Sequence, residues 1–197
     1  MITQRFNQNP EWRVPNAPFN TAYHGLNDMI KNVAITLDAH FPNEHKSMLE
    51  IGSYMGESTM MFAASHAFET IITIDPLEGK EKFNDIFGYD WETVRKEFNN
   101  NTRMFNNIRH IRDYSYNVVD SIPDNSLHYI YIDGDHEYKS VKYDIEMFLP
   151  KLKSGGIISG HDYFAEAFPG VVRAVNDLIG RPDQEFSDTS WIKIINK

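Results

Sequence analysis

Two short segments concentrate side chains that do chemistry. "YIYIDGDHEY" carries Asp133, Asp135 and His136 directly after an apolar run, and "GGIISGHDY" carries His161 and Asp162 after another. Carboxylates and imidazoles grouped in this way can take a proton from a hydroxyl or ligate a divalent cation. Other apolar runs end alike: "TIITI" runs into Asp75, and "IRHI" into Asp113, Tyr114 and Ser115. An acid there must be solvated, hydrogen-bonded or bound to a cation. Any one of them alone reads equally well as a helix cap or turn residue. A row of them at successive run ends is harder to explain that way.

The first run ends differently. In "MLEIGSYMGEST" the apolar stretch stops at Gly52, Gly56 follows, and a helical segment begins. Glycine lets the backbone adopt positive φ and approach a ligand closely. Asp75 comes one strand–helix–strand unit later, where a carboxylate can accept hydrogen bonds from both hydroxyls of a ribose. The dinucleotide fingerprint asks for a third glycine to seat a pyrophosphate, and Tyr54 stands where its second glycine would fall. A nucleoside without phosphates fits this turn better than a dinucleotide.

These residues need elements to position them. Short apolar runs recur at 48–51, 70–74, 108–111, 127–132 and 156–159. Between them, 57–68, 91–105 and 137–152 have helical spacing. Strands alternating with helices imply an α/β fold with a parallel sheet covered on both sides. The tail reads as a helix over 168–180 and a final strand over 190–197, expected to run antiparallel to the rest. Residues 20–41 form an amphipathic helix through Leu26, Ile30, Val33 and Leu37, and residues 1–19 read as an arm. The link over 76–90 has weak periodicity and follows a strand end, as a functional loop or lid would.

The chain has 197 residues, suited to one domain, and no cysteine, which excludes disulfides, thiolate nucleophiles and zinc–thiolate sites. Its net charge of -9 argues against a nucleic-acid partner, which would require a basic face. Neither a membrane-length apolar window nor a signal-peptide core is present, so a cytoplasmic location without membrane association is expected. A small molecule is the expected partner. The arm could cover the site or reach a neighbouring subunit in a homo-oligomer.

The motifs "LEIGSYMGEST", "ITIDP", "IRDYS", "YIYIDGDHEYKSVKYDIEMFLPKLKSGGIISGHDY" and "GVVRAVND" together resemble class I S-adenosylmethionine-dependent methyltransferases, in the small-molecule O-methyltransferase branch with D-G-D-H and H-D-Y motifs. The resemblance covers residues 45–197 and implies a single Rossmann-like domain, with residues 1–44 as an arm and helix on the substrate side. It implies a seven-stranded, mostly parallel sheet with an antiparallel last strand and helices on both faces. By position, Glu50 and the backbone of Gly52, Ser53, Tyr54 and Gly56 would hold the amino-acid part of S-adenosylmethionine, supported by Ser58 or Thr59. Asp75 would hold the ribose, and Asp113, Tyr114 and Ser115 would flank the adenine. Asp133 belongs to the same cofactor edge.

The reaction implied is O-methylation of a sugar or other hydroxylated metabolite. Some related enzymes bind magnesium through an acid at the fourth strand end and an acidic pair after the fifth. Mapped here, the ligand positions are Asp133, His161 and Asp162, with Asp135 as the base. His161 stands where the acidic pair has its first member, and imidazole suits manganese, iron or zinc better than magnesium. Either the metal differs, or there is none and His161 or His136 is the base. Two alternatives keep part of this picture: a protein that binds S-adenosylmethionine but acts as a hydroxylase or is catalytically silent, and a nicotinamide-dependent reductase. Against the reductase stand the missing third glycine and the placement of Tyr138 and Lys142 after the D-G-D-H run.

Overall fold

The computed structural model describes residues 23–79 and 89–197. The expected arm over 1–19 and the centre of the 76–90 link, including Phe83 and Phe87, lie outside the described residues. The described chain runs α1 (Tyr23–His40), β1 (Ser47–Ile51), α2 (Glu57–Ala64), β2 (Thr70–Ile74), α3 (Trp91–Thr102), β3 (Ile108–Ile111) and the single turn α4 (Ser115–Val118). It continues through β4 (Leu127–Ile132), α5 (Tyr138–Phe148), β5 (Leu152–Gly160), α6 (Pro169–Ile179), β6 (Gln184–Glu185) and β7 (Trp191–Ile195).

The strands form one seven-stranded sheet in the order β3-β2-β1-β4-β5-β7-β6. β1 to β5 are parallel, and β7 runs antiparallel to both β5 and β6. Alternation along each strand sends side chains to two cores. Leu49, Ile51, Ile130 and Ile132 face α5 and α6, with Val141, Ile145, Phe148 and Val175. Met48, Tyr129 and Tyr131 face α1 and α2, with Met29, Val33, Leu37 and Phe62. The apolar stripe of α1 is therefore part of the main core of the sheet. Both faces of β4 are covered, and all six of its residues are buried, as a continuous apolar strand requires. No helix among the described residues is long and apolar enough to cross a membrane.

Three expected boundaries shift for local reasons, and one strand has no expected counterpart. The helix expected over 57–68 stops at Ala64, and His66 takes φ 55 beyond it. Pro150 turns the end of the 137–152 segment into a 3-10 turn over Leu149–Lys151. β5 begins at Leu152, ahead of the apolar run, because an irregularity opposite Leu127 and Tyr129 absorbs Gly155 at φ 83. β6 is two exposed polar residues with no pattern to mark them.

The strand order reverses between β1 and β4, since chain-adjacent β2 and β3 lie on the other side of β1. Ligands in open α/β sheets bind outside the carboxyl ends of the strands at such a point. Register brings those ends level: Gly52 N donates to Ile74 O at 2.9 Å, Asp133 N to Ile51 O at 2.8 Å, and His161 N to Ile132 O at 3.2 Å.

Candidate active site

The first turn is built around Asp75. One carboxylate oxygen accepts the N–H groups of Ser53 and Tyr54, both at 2.8 Å, and the other accepts Leu77 N–H at 2.7 Å. Gly52, Tyr54 and Gly56 have φ 87, 45 and 80. The chain's own atoms occupy the Cβ position of both glycines. A Cβ on Gly52 would meet the Asp133 carbonyl, and one on Gly56 would lie 3.0 Å from Phe98. Tyr54 sits edge-on to Trp91 at 6.4 Å and packs against the small cluster of Met55, Leu77, Val94 and Phe98.

Glu50 lies beneath this turn and is fully buried. Ser58 Oγ donates to its carboxylate at 2.5 Å, and Thr59 Oγ1 donates to the other oxygen. Burial pushes the Glu50 carboxyl up to about 7, against the two hydroxyl donors that favour its charged form. Ser53 Oγ is buried at the turn with no hydrogen-bond partner among the described residues.

Beyond β3, the Asp113 carboxylate accepts Tyr114 N–H at 2.7 Å and Asn117 Nδ2–H at 2.8 Å. Ser115 Oγ donates to the buried Asp144 at 2.6 Å. Tyr114 stacks on Tyr116 with ring centroids 5.3 Å apart, both exposed.

The ends of β4 and β5 hold the densest group. Asp162 sits between two imidazoles: His136 Nε2 lies 2.7 Å from one carboxylate oxygen, and His161 Nδ1 lies 3.0 Å from the other. Asp162 has φ 60 and is not the N-cap of a helix, since only a single turn follows at 164–168. The two imidazoles outweigh burial and hold its carboxyl well below the usual range. Burial opposes the charged form of His161, yet Asp162, Asp133 and Asp188 carry it up to about 9. The hydrogen bond to Asp162 likewise raises His136. Asp133, half-buried, is pushed up to about 6 by burial.

One oxygen or nitrogen from each of Asp133, His136 and Asp162 falls within a span of 4.8 Å, the size of an ion site. His161 is outside that group, because Nδ1 is turned to Asp162 and Nε2 faces Asp188 at 4.0 Å. Asp135 is also apart: its carboxylate accepts Glu137 N–H at 3.3 Å and Ser140 Oγ–H at 2.7 Å, at the start of α5. His136 is not a cap; it packs on Phe168 at 4.7 Å. The cleft here is lined by Asp133, Asp135, His136, His161 and Asp162, with Val141, Val171 and Trp191 as its apolar wall. Tyr163 packs into the core and bonds Asn176, while Phe164 is exposed.

Asp188 is the member of this group that sequence reasoning missed. Its carboxylate is buried and accepts from Ser190 N and Oγ at 3.1 and 2.9 Å. It sits in a polar turn before β7, and nothing in "FSDTSW" sets that acid apart from an ordinary turn residue.

Three comparisons bear on this arrangement. Residues 49–163, more than half the chain, match a family model described as a methyltransferase domain. The uncharacterized protein R132 of Acanthamoeba polyphaga mimivirus is 30% identical over 173 residues, covering 82% of this chain and 70% of that protein. Among solved structures, an O-methyltransferase from Bacillus cereus in complex with SAH superposes with a TM-score of 0.60 at 16% identity, over 100% of this chain and 90% of that one. CalS11, a TDP-rhamnose 3'-O-methyltransferase of calicheamicin biosynthesis, superposes with a TM-score of 0.59 at 14% identity, over 98% of this chain and 91% of that one. Those likenesses show the Rossmann-like methyltransferase fold. With the matched segment running from β1 through the H-D-Y turn, the chain belongs to this methyltransferase domain family.

Proposed function

We propose that the chain transfers a methyl group from S-adenosylmethionine to an oxygen of a small hydroxylated molecule, a sugar or glycosylated metabolite. The observation that carries this reading is the His136–Asp162–His161 group beside Asp133, at the sheet edge next to the Asp75 turn. The TDP-rhamnose methyltransferase of the same fold supports a sugar as the acceptor.

The residues of the turn fit the cofactor. Ser53 Oγ has an unused hydrogen-bonding capacity there, and the Asp75 oxygen that accepts Leu77 N–H keeps a lone pair for a ribose hydroxyl. Glu50 and the backbone of 52–56 would hold the amino-acid end, with Ser58 and Thr59 fixing Glu50. Asp113, Tyr114 and Ser115 would border the adenine. Bound S-adenosylmethionine supplies a methyl on a sulfonium, a leaving group that needs no proton.

The chain's own task is to align the acceptor oxygen and remove its proton. His136 is the base this geometry favours. Its Nε2–H donates to Asp162, which fixes the ring and leaves Nδ1 to accept. Asp135, held at the start of α5, is less available. Val141, Val171 and Trp191 exclude water from one side.

A second reading rests on the ion-sized group of Asp133, His136 and Asp162. Two carboxylates and one imidazole suit manganese, iron or zinc better than magnesium. Such an ion would lower the pKa of an acceptor hydroxyl.

Calorimetric titration with S-adenosylmethionine and with SAH tests the cofactor, and transfer of labelled methyl to a panel of sugar nucleotides and phenols tests the reaction. Micromolar binding followed by methylation of an oxygen is expected. Absence of binding with every cation added would overturn the reading.

A further inference from the structure

Three consecutive backbone carbonyls after β2 are each held by a different basic side chain. His110 Nε2 lies 3.0 Å from Asp75 O, Arg112 Nε donates to Pro76 O at 3.1 Å, and Arg95 Nη1 donates to Leu77 O at 3.2 Å. A carbonyl only accepts, so His110 must carry its proton on Nε2. The three donors come from separate places: the interior of β3, the residue just beyond β3, and α3. His110 is fixed in turn, since β3 pairs it with Thr73 and its ring packs on Phe98 at 4.3 Å.

The segment they hold is an improbable one. Leu77 has φ 47, a region that L side chains rarely adopt. Tyr54, whose N–H is bound by the Asp75 carboxylate, has φ 45. Asp75 is thus fixed by its side chain through Ser53, Tyr54 and Leu77, and by its main chain through His110. Among the described residues, neither arginine forms an ion pair, although the chain carries a net charge of -9. Each guanidinium donates to one of two carbonyls beside a single carboxylate, and Arg95 also acts on Asp90 through its charge.

We infer that His110, Arg112 and Arg95 are positioning residues that preset the Asp75 carboxylate for a ribose. This rests on the cofactor reading above. A carboxylate set in place before the ligand arrives loses little freedom on binding, and its affinity is higher for that reason.

The test uses the full-length chain and SAH as the probe. His110→Phe keeps a ring against Phe98 and removes the N–H; His110→Gln restores a donor of similar reach. Losing one such hydrogen bond is worth about a factor of ten. His110→Phe should therefore weaken SAH about tenfold and speed amide exchange at Ser53 and Tyr54 by a similar factor, while His110→Gln recovers both. Arg112→Leu, at an exposed position that leaves the core intact, should weaken SAH severalfold. Wild-type affinity in both His110→Phe and Arg112→Leu overturns the inference. So does a loss in His110→Phe that His110→Gln fails to recover. If the wild-type chain binds no SAH, the cofactor reading fails first. Amide exchange at Ser53 and Tyr54 then still decides whether His110 fixes Asp75, and unchanged exchange in His110→Phe counts against it.

Discussion

A Cβ built on Gly52 would stand 2.1 Å from the Asp133 carbonyl oxygen. The end of β1 and the end of β4 touch there, backbone to backbone, and Asp133 begins the acidic group of the site. Gly52 also has φ 87, which costs an L side chain about 1–2 kcal/mol before any clash. Gly52→Ala should therefore destabilise the fold by at least about 2 kcal/mol, a drop of about 5 °C in thermal midpoint for a chain of this size. Calorimetry without ligand checks this. A midpoint close to that of the wild type would mean that a ligand, and not the chain's own packing, requires the glycine.

That contact shows what the sequence could and could not disclose. Glycines after a first strand were legible as a turn that lets a ligand approach, but the packing around them was not, because the atoms that fill their Cβ positions come from residues far along the chain. Gly52 answers to Asp133, and Gly56 to Phe98 and Thr102. The parallel strands were legible because short apolar runs ending in acids have a strong local pattern. β6 and the start of β5 were not, since pairing partners and a bulge, not local periodicity, define them. The acids and histidines after β4 and β5 were legible as residues of one sheet edge, but their partners were not. Asp135 turns to its own helix, His136 crosses to Asp162, and Asp188 arrives from the last turn. Side-chain direction at a strand end depends on neighbours that no spacing rule specifies.

Asp162 is the point where both imidazoles meet, and its substitution separates binding from chemistry. Its φ of 60 suits asparagine, which tolerates the left-handed region, so Asp162→Asn should leave the backbone in place. The variant loses the charge that orients His136 and should lower methyl transfer by about 10²–10⁴. SAH affinity should stay at the wild-type level, because the Asp75 turn is untouched. Asp135→Asn, which alters only the start of α5, should cost less than about tenfold. Initial rates with labelled S-adenosylmethionine distinguish the two. Equal losses in both would move the base from His136 to Asp135.

Glu50 makes stability depend on pH. Its folded pKa is raised to about 7, above the ordinary 4.5. The unfolded chain thus releases this proton first, and the folded chain keeps it over the interval between the two values. Stability is full below the unfolded value, falls as pH rises through the interval, and stays lower above it, by about 3 kcal/mol. Glu50→Gln keeps an oxygen for one of the two hydroxyls, while the other can turn to accept from the new NH2, and the side chain cannot ionise. The variant should gain stability relative to the wild type at pH 8 and lose that advantage at pH 4. Urea unfolding at both pH values measures the difference, and parallel profiles would show that Glu50 is not the group responsible.

The donor set at the β4 and β5 ends makes a cation prediction. Asp133, His136 and Asp162 offer two carboxylates and one imidazole within 4.8 Å. If they hold an ion, Mn²⁺ should stabilise the chain more than Mg²⁺, because imidazole favours the softer cation. At about a hundredfold excess over the dissociation constant, binding adds ~2.7 kcal/mol. That corresponds to a rise of about 5–10 °C in thermal midpoint, which a chelator should reverse. His136→Ala should remove the preference for Mn²⁺ over Mg²⁺. His161→Ala should retain it, because His161 faces Asp162 and Asp188 with its two nitrogens and lies outside the ion-sized group. Loss of the Mn²⁺ effect in His161→Ala alone would return His161 to the ligand set. No shift with any cation would leave His136, oriented by Asp162, as the group that takes the proton.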